Sequence, residues 1–149
     1  MTRLHSMSTI WLRGPLIRAG AMIGLGFGGL ADAAVFRHLL QWHRLIPAGG
    51  MADGVWLGGF LLVLVIGLGM LWNGMRNPLV SRSNRLLAGS VILGMGLFAA
   101  TKALLFHHVL QLHNLRPGPD RLVWDMTYLL GAFALLGLGW LLIRRTGWQ

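Results

Sequence analysis

Four long apolar stretches, separated by turn residues and almost free of acidic side chains, make up most of this chain of 149 residues. They run from about Pro15 to Leu40, Val55 to Trp72, Leu86 to Leu112 and Leu122 to Ile143. A transmembrane helix needs about 20 mostly apolar residues to cross a hydrocarbon core of about 30 Å. Charged residues are 11% of the chain, against roughly a quarter in an ordinary soluble domain. The expected fold is therefore all-α and transmembrane, a four-helix bundle in a single integral membrane domain over residues 1–149. Pro15 suits the first turn of a helix, where its missing N–H does no harm. Pro47-Ala48-Gly49-Gly50, Asn77-Pro78 and Arg116-Pro117-Gly118-Pro119-Asp120 supply short connections, so the helices should alternate up and down.

The absence of cysteine excludes a disulfide framework, a zinc ribbon, an iron–sulfur cluster and covalent c-type haem attachment within this sequence. A formal net charge of +9 would suit nucleic acid only if the basic residues shared one water-exposed surface. They do not. Arg3, Arg13, Arg18, Arg76, Arg82, Arg85, Arg144 and Arg145 fall on one side of the spans with no acidic residue beside them. The other side carries Arg37, Arg44, Arg116 and Arg121 against Asp53, Asp120 and Asp125. By the positive-inside rule both termini are expected in the cytoplasm, and the charge reports orientation and attraction to anionic lipid. Tryptophans fit this frame, with Trp11, Trp72 and Trp140 near the inner boundary and Trp42, Trp56 and Trp124 near the outer one. The expected partner is the lipid bilayer, not nucleic acid. Ala31-Asp32-Ala33 loosely resembles a signal-peptide cleavage site, but the apolar stretch before it is long and a related segment recurs internally.

Sliding the chain by 70 residues aligns Gly24, Gly26, His38, Leu40, Gln41, His43 and Leu45 with Gly94, Gly96, His108, Leu110, Gln111, His113 and Leu115. Gly67-Leu68-Gly69 also falls over Gly137-Leu138-Gly139. The expected units are two parallel-repeat helical hairpins, about residues 20–75 and 90–145, related by an axis along the membrane normal. Gly24-Leu25-Gly26-Phe27-Gly28-Gly29 matches the dinucleotide-binding pattern, but that pattern has meaning only between a strand and a helix. Inside a span, Gly20, Gly24 and Gly28 instead make a flat seam along which helix backbones approach closely.

Five of six histidines lie at the outer ends of spans one and three: His38, His43, His107, His108 and His113. His38 with Gln41, and His108 with Gln111, share a helix face at a spacing of three residues. His38, His43, His108 and His113 form a candidate ligand set for copper, another metal or haem iron. Asp32 and Lys102 lie about six residues further in, equivalent under the same shift. An intramembrane charge costs about 2.5–3.5 kcal/mol unless partnered, so the two are expected to pair across the repeat interface. Gln41, Gln111, His107 and Asp125 complete the expected polar core. Arg37 opposite His107, and Arg44 opposite Asn114, set permanent cations beside the candidate metal position and disfavour a bound cation there.

Gly28-Gly29-Leu30-Ala31-Asp32 and Leu39-Leu40-Gln41-Trp42-His43 resemble a bacterial membrane family, domain of unknown function 2243. Phe106 through His113, Arg116-Pro117-Gly118-Pro119 and Trp124-Asp125 are similar to that family's second half. The resemblance covers about residues 20 to 145. It implies a small four-span protein of the bacterial inner (cytoplasmic) membrane and a link to copper handling or respiratory oxidase assembly. In the family's pattern histidine is usual at the positions of Arg37 and Arg44, and an acidic residue at Lys102; this chain departs at all three.

An accessory or structural membrane component is the leading reading, working with a membrane-complex partner or a second copy of itself. A metal- or haem-binding protein is the alternative, and a small transporter, suggested by intramembrane ionisable residues, the second. Catalysis is not expected. The sequence has no cysteine nucleophile and no H-E-x-x-H motif, and Ser6, Ser8, Ser81, Ser83 and Ser90 lie on the half away from the clustered histidines.

Overall fold

In a computed structural model of the chain, the backbone is described for residues 2–35, 50–104 and 121–146, and side chains for 13–35, 54–104 and 123–146. Four helices follow one another: α1 (Thr2–Asp32), α2 (Gly50–Met75), α3 (Asn84–Lys102) and α4 (Arg121–Arg145). All four are long and apolar enough to span a membrane, over Arg13–Val35, Gly54–Met75, Asn84–Lys102 and Val123–Arg145. The 19 residues of α3 rise about 28 Å at 1.5 Å per residue, close to the thickness of a hydrocarbon core.

One expectation about helix ends is corrected. Pro15 does not open a helix; α1 begins at Thr2 and carries Pro15 in its interior. A proline inside a helix forfeits one backbone hydrogen bond, at a cost of about 3 kcal/mol. The next residue offsets part of that cost, because Leu16 is buried against Val80 and Leu86. At the other end, regular α-helix stops at Asp32 and at Lys102, and each helix then widens into a π turn, over residues 33–35 and 103–104. The stretches expected to continue the spans to Leu40 and Leu112 lie mostly outside the described residues.

The bundle is organised around α1 and α3. Their contact is close because of Gly24 and Gly94, where a methyl group would overlap the carbonyl of Val91 and of Ala21 respectively. In lipid, helices are held by packing and not by the hydrophobic effect, and small residues set how near two backbones come. Two residues along, Gly26 faces Leu64 of α2 and Gly96 faces Leu136 of α4. A step of two residues turns a helix by about 200°, so α2 and α4 lie on the outer sides of the central pair. Their outward faces present Leu61, Leu62, Val65 and Leu68, and Leu130, Phe133, Leu138 and Leu141, to the lipid.

Local hydrogen bonds shape the connection between α2 and α3. Asn77 Oδ1 accepts from the Leu79 N–H at 2.9 Å, which turns the chain so that Val80 tucks beneath α1 and α3. Ser83 then caps α3, its Oγ accepting from the Leu86 N–H at 3.2 Å. This satisfies one of the four donors that a helix start leaves unpaired. Near the same end of the bundle, Arg13 donates to the Ile143 carbonyl at 2.5 Å, placing a cation at the C-terminal end of α4 where the helix dipole favours it.

Candidate functional site

At the opposite end of the bundle the α1–α3 contact closes on a charge. Asp32 ends α1 and Lys102 ends α3. The glycine contact two turns below brings these ends together, and Lys102 Nζ donates to Asp32 Oδ2 at 2.5 Å. Both side chains are buried, with 2% of Lys102 and 8% of Asp32 exposed. The pairing expected from the positions of Asp32 and Lys102 is present.

A third group completes the site. Tyr128 of α4 donates its hydroxyl to Asp32 Oδ1 at 2.9 Å, so both carboxylate oxygens are engaged. Lys102 Nζ also stands 5.5 Å from the Tyr128 ring centroid, within the range of a cation–π contact. The ring therefore serves the pair twice, through its hydroxyl to the anion and through its face to the cation. Three helices converge on one carboxylate, and the charges of Asp32 and Lys102 oppose each other. Asp125, one turn earlier on α4, is buried as well. On the α2 side the packing is aromatic: Trp56 meets Phe60 edge-on at 5.2 Å, and Phe60 meets Phe98 of α3 at 5.0 Å. Such edge-to-face pairs add about 0.5–1.5 kcal/mol beyond their burial.

Chemically, the arrangement fixes helices. Each oxygen of the Asp32 carboxylate accepts one hydrogen bond, from an ammonium and from a phenol on different helices. The cost of bringing the charges into the membrane is met locally by the pair itself.

Tyr128 was not among the expected polar residues. Gly67 packs against Ile23, and Gly139, not Gly137, packs against Leu93; Gly69 and Gly137 face open space. Ile23 and Leu93 are equivalent under the shift that relates α1 to α3. The residues that meet Ile23 and Leu93, Gly67 and Gly139, are 72 positions apart, against 70 for Ile23 and Leu93 themselves. In that register Asp53-Gly54-Val55-Trp56 falls over Asp125-Met126-Thr127-Tyr128. An acid followed three residues later by an aromatic, near the start of each outer helix, was the signal for Tyr128.

Of the other expected site residues, His38, Gln41, His43, His107, His108, Gln111 and His113 lie outside the described residues, as do Arg37 and Arg44. Among the described residues no group of three or more histidine, cysteine or acidic side chains is arranged to hold a metal.

Fold and site together define a four-helix membrane protein with a buried ion pair. The chain belongs to the family described as predicted membrane protein (DUF2243), whose model matches residues 19–146. No curated protein and no solved structure matches it.

Proposed function

We propose that this protein is a non-catalytic accessory component of a bacterial cytoplasmic membrane, built from two related helical hairpins, with both termini in the cytoplasm. The observation that carries this reading is that both oxygens of Asp32 are engaged from other helices: Lys102 holds one and Tyr128 the other. The cluster spends its charges on joining α1, α3 and α4, which is what a scaffold requires. The reciprocal packing of Gly24 on Val91 and Gly94 on Ala21 supports the hairpin relationship, because each contact becomes the other under the same shift. The arginine-rich, acid-free side of the sequence supports the orientation.

A metal- or haem-binding role is the second reading, and one observation favours it. Because Asp32 and Lys102 touch, α1 and α3 end side by side, and in the sequence His38 and His43 follow the one and His108 and His113 the other.

Both readings are tested on the full chain solubilised from its membrane, untagged by histidine. The quantities measured are the mass of the native complex, its metal content and its haem absorbance. The accessory reading predicts a complex of fixed stoichiometry, unchanged when His38, His43, His108 and His113 are all replaced by alanine. Stoichiometric metal or haem that is lost in that variant would establish the second reading in its place.

A further inference from the structure

The arginine-rich end of the bundle holds a groove of about 650 Å³ between α1 and the end of α2. Arg18 of α1, Asn73 of α2, and Arg76 and Asn77 of the following connection supply its polar lining, while Pro15 and Met70 are among its apolar walls. Neither guanidinium has an ion-pair partner among the described residues. The helices explain why: Asp32 ends α1, and Asp53 and Asp125 lie near the starts of α2 and α4, at the other end of the bundle. The Asn77 side-chain oxygen is already engaged by the Leu79 N–H, so that side chain has N–H donors left to offer. The polar part of the groove is thus dominated by donors and carries two positive charges, and its walls are apolar.

We propose that this groove is a phosphate-binding site, occupied by the head group of an anionic phospholipid. A guanidinium presents a planar fork of N–H donors that matches phosphate oxygens, and asparagine N–H groups add neutral donors beside it. Basic pockets between transmembrane helices near the membrane surface suit anionic head groups. The apolar walls lie where the first methylenes of the acyl chains would run. A free phosphate would meet the same donors and leave those walls uncovered. The site is separate from the Asp32 cluster and does not depend on the accessory role.

The test places the full chain in nanodiscs of phosphatidylcholine alone, and in nanodiscs of phosphatidylcholine with phosphatidylglycerol or cardiolipin. Bound lipid is read by native mass spectrometry. The same phosphatidylcholine discs are titrated with inorganic phosphate, read by thermal stability. Three variants are compared with the parent: Arg18→Gln with Arg76→Gln, Arg18→Lys with Arg76→Lys, and Arg144→Gln with Arg145→Gln. The first and third remove equal charge, but Arg144 and Arg145 do not line the groove. The expected result is retention of the anionic lipid by the parent and at least a roughly tenfold loss of affinity in the groove glutamine variant. The lysine variant, which keeps the charge and loses the fork, should be intermediate, and the Arg144/Arg145 variant should match the parent. Phosphate stabilisation that disappears only in the groove variant, without lipid selectivity, would support the site and overturn the lipid as its occupant. Equal losses in both glutamine variants, or no preference for anionic lipid and no response to phosphate, would overturn the site.

Discussion

Lys102 and Asp32 stand 70 residues apart in the chain and 2.5 Å apart in the fold. Each is the last residue of a regular α-helix that then widens into a π turn. π turns inside membrane helices are commonly tied to a local demand of the site, and here both follow a charge that must meet its partner across the bundle axis. The pair sits at the end of a close backbone contact, so the glycines that bring α1 and α3 together also deliver the two charges. Packing and electrostatics thus act on the same interface.

Tyr128→Phe removes the hydroxyl that donates to Asp32 Oδ1 and leaves the ring over Lys102. Stability against denaturing detergent should fall by about 1 kcal/mol. In an Asp32→Asn background the same substitution should cost less, since a neutral amide accepts a weaker hydrogen bond. Equal costs in the two backgrounds, measured by unfolding in mixed micelles, would remove Tyr128 from the cluster.

Glycines in this chain are not equivalent. Gly24→Ala places a methyl on the Val91 carbonyl, and Gly94→Ala places one on the Ala21 carbonyl. Each should cost about 1–3 kcal/mol through overpacking. Gly58 and Gly59 face open space, and alanine there should leave stability unchanged or raise it by up to about 1 kcal/mol through helix propensity. The same unfolding measurement applied to all four variants checks the contrast.

Much of this was legible in the sequence for physical reasons that can be named. Bilayer thickness dictates span length, so the four helices could be read from apolar run length alone. The cost of an unpaired charge in lipid, combined with the internal shift, singled out Asp32 and Lys102 as partners. A shift of 70 residues does not reveal Tyr128, because the contacts of α2 and α4 with the inner helices are spaced by 72. A tyrosine is also common enough near a membrane interface to attract no notice. Pro15 reads as a helix start because propensity acts locally, while the packing of Leu16 on Val80 and Leu86 is tertiary and invisible in a local pattern. The histidine segments, on which a metal reading rests, lie beyond the described residues and stand as read from the sequence.

Orientation has a direct check, because the sequence has no cysteine and any introduced thiol reports alone. Ser81→Cys, in the connection between α2 and α3, should react with an impermeant reagent only after the cells are opened. Gly118→Cys, between the third and fourth spans, should react in intact cells. The arginine distribution predicts this pattern, and the reverse labelling would invert the topology.

The central claim, that Asp32 and Lys102 hold the bundle together as a pair, is tested most directly by a double-mutant cycle on unfolding in mixed micelles. Asp32→Ala and Lys102→Ala each leave one buried charge without its partner and should each cost about 3 kcal/mol. Combined, they should cost well below the sum, with a coupling of about 2 kcal/mol, because the double variant removes both charges of the pair. Losses that add to within about 0.5 kcal/mol, as for independent sites, would contradict the account.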